Sequence, residues 1–79
     1  TSTSLKYDRE NKLFYLSTKH NVSYSIINSL GIVVESGILE PLPELVIDVN
    51  RLSDGENVIE LKCVDEVKQI TLIKNNSNL

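Results

Sequence analysis

Apolar and polar side chains alternate with a period of two along most of this chain, in short runs broken by turn residues roughly every eight to twelve positions. That spacing predicts strands. The clearest run begins at Val22, where Val22, Tyr24 and Ile26 fall on one face and Ser23 and Ser25 on the other. Before it, the pattern predicts a strand over residues 4–7, a charged turn at Asp8-Arg9-Glu10-Asn11, and a second strand over 12–18. In that second strand Leu13, Tyr15 and Ser17 oppose Phe14, Leu16 and Thr18, and Lys19-His20-Asn21 makes the next turn. After Ile27, Asn28-Ser29-Leu30-Gly31 reads as a tight hairpin in which Gly31 supplies a positive φ without steric strain. A fourth strand follows over 32–35, with Gly37 marking a bulge or its end.

Glu40-Pro41-Leu42-Pro43 predicts a crossing loop or an edge, because proline has no N–H for a ladder. Leu45, Ile47 and Val49 alternate with Val46, Asp48 and Asn50 as a fifth strand, closed by the turn dipeptide Asp54-Gly55. The sixth strand covers 57–63 with Ile59, Leu61 and Cys63 inward. Asp65-Glu66 then turns the chain into a seventh strand, 67–74, with Ile70 and Leu72 sharing a face. The polar stretches 1–4 and 75–79 are expected to be frayed, flexible ends of a single domain spanning 1–79.

The expected architecture is therefore all-β, a seven-stranded antiparallel β-sandwich of immunoglobulin-like type. Its expected core is Leu13, Tyr15, Val22, Tyr24, Ile26, Val33, Ile47, Val49, Leu52, Ile59, Leu61, Ile70 and Leu72. Composition sharpens the contrast with helix. Eight Val and eight Ile stand beside eleven Leu, with no Ala, no Met and no Trp, and branching at Cβ suits a pleated sheet. Residues 58–73 are the longest helical alternative, but the acidic turn interrupts them and six of them are Val or Ile. Asn57 falls in the inward phase of the sixth strand, so it must find hydrogen-bond partners or lie at the rim.

Charge and reactive residues exclude more than they suggest. Eight basic against eleven acidic residues give a net charge of −3 with no Lys/Arg cluster, which argues against a nucleic-acid partner. No run approaches the ~18 apolar residues of a membrane span. His20 is the single histidine, so a His-based triad or a multi-His metal site cannot be built, and its place in Lys-His-Asn reads as a solvated turn. Cys63 is the single cysteine; it cannot form an internal disulfide, lacks companions for a structural zinc site, and its phase with Ile59 and Leu61 reads as a small buried hydrophobe. Asp48, Asp54, Glu56, Asp65 and Glu66 have no calcium-loop spacing and read as loop charge. Gly31, Gly37 and Gly55 read as turn glycines rather than a phosphate cradle, and Asn21 and Asn75 begin Asn-x-Ser patterns of the kind that recur by chance. Tyr7, Tyr15 and Tyr24, on adjacent early strands, could cluster across them; the simpler reading has Tyr24 filling the core with its hydroxyl at the rim. No catalytic, cofactor-binding or metal-binding residue is assigned, no cofactor is expected, and binding residues are left open. Lacking Met, the chain is expected to start at a processed or excised end, with any targeting peptide already removed.

Three segments carry a family likeness. The run Tyr24-Ser25-Ile26-Ile27-Asn28-Ser29-Leu30-Gly31-Ile32-Val33-Val34-Glu35-Ser36-Gly37 resembles the strand–Gly–strand hairpin of the bacterial type IX secretion C-terminal sorting domain. Ile47-Asp48-Val49-Asn50-Arg51-Leu52-Ser53-Asp54-Gly55 is similar to that family's Ile-x-Val strand followed by Leu and Gly, and residues 67–74 to its terminal strand, which ends near a lysine. Residues 5–11 contain no Pro where the family has an Asn-Pro pair, and Asn57 stands where it has an aromatic. A related set of small secreted immunoglobulin-like proteins of unknown function has much the same hairpin. The resemblance implies a non-catalytic domain at the cell surface or outside the cell, reached through the periplasm. Its partners would be a component of the secretion machinery, reading a surface such as the last hairpin (57–74), and an upstream cargo domain. The alternative is a stand-alone secreted module that binds a protein or glycan, for which Tyr7, Phe14 and Tyr15 are the candidate aromatics.

Overall fold

The computed structural model describes residues 3–74. These form β1 (Thr3–Asp8), β2 (Leu13–Thr18), β3 (Val22–Ile27), β4 (Val33–Leu39), β5 (Leu45–Asp48), a 3₁₀ turn (Val49–Arg51), β6 (Gly55–Lys62) and β7 (Val67–Lys74). The strands build two antiparallel sheets, one ordered β1-β2-β5 and the other β4-β3-β6-β7. No α-helix occurs among the described residues, and residues 58–73 are strand, turn and strand. The Cα atoms span 41 × 27 × 15 Å, the thin dimension that two stacked sheets ~10 Å apart require.

One core lies between the sheets. Leu16 and Ile47 reach it from the three-stranded sheet; Val22, Ile26, Leu39, Ile59, Leu61 and Leu72 from the other, and Leu52 from the loop before β6. Seven of these, Val22, Ile26, Ile47, Leu52, Ile59, Leu61 and Leu72, are positions of the expected core. Tyr24 and Ile70 are half-buried and pack against the same cluster.

Four expected core positions, Leu13, Tyr15, Val33 and Val49, neither belong to this cluster nor pack against it. In β2 the inward face is Phe14, Leu16 and Thr18, not Leu13 and Tyr15; Leu16 is 0 % exposed. Both faces of β2 are apolar, so its own alternation is ambiguous, and the neighbours decide. Leu16 stands opposite Leu5 and Leu45, and Phe14 opposite Tyr7 and Ile47, whereas Leu13 stands between Asp8 and Asp48 and Tyr15 between Lys6 and Val46. Two carboxylates flanking Leu13 hold that face in water. Val33 is 54 % exposed at the start of an edge strand. Val49 is half-buried and outside any strand: Asp48 Oδ1 accepts from Asn50 N at 2.9 Å, capping the 3₁₀ turn and ending β5 two residues early.

Element boundaries differ in three further places. β4 runs through Gly37 to Leu39, which is buried opposite Val22; the register slips at Ile26/Ile27 against Val34, not at Gly37. Gly37 instead lies under the Tyr24 ring, where an added Cβ would stand 3.3 Å from its Cε1. β6 begins at Gly55 and ends at Lys62, so Cys63 follows the strand, half-buried against the core. Thr3 and Ser4, expected in a frayed lead-in, pair with Thr18 and Ser17, and the two serine hydroxyls are 2.8 Å apart. Thr1, Ser2 and the expected polar tail 75–79, with the Asn75 pattern, lie outside the described residues.

Candidate interaction surface

The hairpin joining β3 to β4 is organised by Asn28. Its side-chain Oδ1 accepts from Leu30 N at 2.9 Å and Ile32 N at 3.0 Å, while its backbone N donates to Ile32 O and its carbonyl accepts from Gly31 N. Gly31 closes the turn at φ +83°, where a Cβ would be strained. Leu30 is thereby held at the tip, 80 % exposed.

A polar network fastens this hairpin to the loop before β6. Ser53 Oγ lies 3.2 Å from Ser29 Oγ, accepts from Ser29 N, and donates to Asn57 Oδ1 at 2.9 Å. Asn57, 1 % exposed, also takes a bond from Ser53 N and donates Nδ2 to the carbonyls of Ser53 and Gly55. The inward-phase amide is thus fully partnered, and no buried side-chain polar atom among the described residues lacks a partner. Position 57 holds a loop in shape by hydrogen bonds.

From this anchored turn β4 runs along the edge of its sheet. Ile32, Val33, Val34 and Ile38 are all more than half exposed along it. Glu35 points to the core side, opposite Ile26, and accepts the Tyr24 hydroxyl proton at 2.8 Å. Burial, and then Glu35 through that bond and its charge, push the Tyr24 phenol above its ordinary pKa. A shallow cleft separates the β4 edge from the β5 edge, with Ile26 and Ile47 in its floor and Val34, Glu35, Asp48 and Arg51 around it. The opposite side of the molecule is closed by lysines on the inward face of β7: Lys68 Nζ donates to Thr3 Oγ1 at 3.0 Å and Lys74 Nζ to the Leu52 carbonyl at 3.1 Å.

The residues singled out for chemistry do not converge. His20 is exposed in the β2–β3 turn, its backbone N and O both engaged by Thr18 Oγ1. Cys63 sits beside the β6–β7 turn, where its N donates to Glu66 O. Asp48, Asp54 and Glu56 lie toward one end of the strands, Asp65 and Glu66 at the other. No three His, Cys, Asp or Glu side chains among the described residues could hold one metal ion. No helix of the described residues is long and apolar enough to cross a membrane.

The three tyrosines also separate. Tyr7 stacks on Phe14 with ring centroids 4.6 Å apart, Tyr15 lies on the outer face of the same sheet, and Tyr24 belongs to the other sheet. Sequence reading missed the β4 edge, because the strand expected over 32–35 reads like any other until its sheet position is known. No protein-family model matches the chain, and no curated protein matches it.

Proposed function

We propose that this chain is an immunoglobulin-like sandwich serving, without catalysis, as a sorting or accessory domain of an exported bacterial protein. The strand order supports the immunoglobulin-like part of this reading. With strands lettered A to G along the chain, sheets A-B-E and C-F-G are the immunoglobulin pairing, and here the fourth strand joins C instead of E. The segments that resemble the sorting domain of type IX secretion supply the β3–β4 hairpin, the link from β5 to β6, and β7. Its surroundings would be the cell surface, reached through the periplasm, and its partners a component of the export machinery and an upstream cargo.

Fusing the domain behind a reporter in a bacterium with type IX secretion tests this. The expected result is reporter at the cell surface; reporter retained in the periplasm overturns the reading. Truncation before Val67 is a poor control, since it removes Leu72 from the core. The second reading, a stand-alone module that binds a protein or glycan, draws support from the Tyr7–Phe14 stack, whose Tyr7 ring is half in solvent.

A further inference from the structure

The four sheet edges are unequally protected. β5 is four residues long and follows Pro41 and Pro43, both features that discourage pairing. β1 and β7 are bridged by Lys68, and β7 turns two lysines inward. β4 carries neither Lys nor Pro, its one charged residue is engaged by Tyr24, and its irregularity is confined to Val34, leaving residues 35–39 in regular register. An edge of this kind, flanked by exposed Ile and Val, is a template for another strand.

Charge selects the occupant. Residues 32–51 hold Glu35, Glu40, Glu44 and Asp48 against Arg51 alone, a net −3 that equals the whole chain's −3, so the remaining residues balance to zero. A second copy would set like charge against like, whereas a basic strand finds acidic groups at Glu35 and Asp48 around the adjoining cleft. We propose that the free edge of β4 takes up an extended, apolar segment of a partner protein bearing Lys or Arg, as an added strand. This inference stands apart from the sorting reading and holds or fails without it.

The test is an NMR titration of the ¹⁵N-labelled chain with a short peptide of alternating Lys and Val, beside the same peptide with Glu for Lys. The expected result is saturable shifts of the β4 amides, slowed hydrogen exchange there, and binding that weakens severalfold between about 50 and 500 mM salt. Val34→Lys, and separately Ile38→Lys should the first fail to fold, each weaken binding about tenfold with the thermal midpoint retained. Three results would overturn it: shifts centred on β1 or β7, equal binding of the Glu peptide, or dimerisation of the free chain through β4 in sedimentation at the same concentration.

Discussion

Tyr24 joins three roles in one side chain. Its ring covers Gly37, its hydroxyl reaches Glu35, and its edge packs on the core. Burial first, and then Glu35 through its hydrogen bond and charge, hold the phenol protonated beyond the pH at which the unfolded chain would release it. A pKa raised on folding contributes stability that is complete below the unfolded value, about 10, and is lost as pH rises through the folded one. Tyr24→Phe is therefore expected to cost about 1 kcal/mol at neutral pH. Above pH ~10 the gap to wild type narrows, because only wild type has this phenol to deprotonate. Urea midpoints for the two proteins from neutral to strongly alkaline pH check this, and a constant gap would sink it. The Asp8 carboxylate works in the opposite sense at the β1–β2 turn. Bonds from the Asn11 side chain and then its backbone hold its pKa down, so its contribution is complete above the ordinary carboxylate range and fades as pH falls below it.

At the scale of elements, the loop between β5 and β6 depends on a polar core position. Asn57 binds Ser53 at three atoms and Gly55 at one, so Asn57→Leu would take these partners from the half-buried N and O of Ser53 and leave its Oγ only Ser29. The expected loss is about 2–3 kcal/mol, larger than the net worth of any one bond, because desolvated donors and acceptors are stranded. Chemical denaturation measures the loss, and a change within about 0.5 kcal/mol would contradict the role assigned to the network. Period-two patterning reached most of the fold: β3 and β6 each have one mainly apolar face, β7 sets Ile70 and Leu72 on one face, and these inward residues were legible. It failed where a strand has two apolar faces, as in β2, because only cross-strand partners distinguish them. It also failed at β5, where the Asp48 side chain competes with the ladder for the backbone. The inward phase of Asn57 was readable, but its partners come from a loop whose shape local patterning does not specify.

At the scale of the whole molecule, sheet edges decide what this surface can join. The pattern of β4 does not reveal that it is an edge, since that follows from the chain crossing to β5 instead of pairing onward. What patterning does carry is the sign of the charge around it. The two long outer edges, β4 and β7, both expose Ile and Val but are finished differently: β4 carries no lysine, while β7 places Lys68 and Lys74 where a continuous apolar face would otherwise run. An inward lysine on an edge blocks pairing, because an incoming strand would have to bury its ammonium group. Replacing both, Lys68→Val with Lys74→Val, removes one exposed and one half-buried charge and lengthens the apolar face begun by Ile70 and Leu72. The exposed Nζ–Thr3 bond is worth little and the part-buried Lys74 bond to the Leu52 carbonyl about 1 kcal/mol, so the monomer should remain folded with a modest loss of stability. Sedimentation should then show a concentration-dependent dimer or larger species in the double variant and a smaller shift in either single one. If the double variant stays monomeric at the concentrations where Val34→Lys is also monomeric, the lysines act only as bridges across the sandwich, and the asymmetry between its edges has another cause.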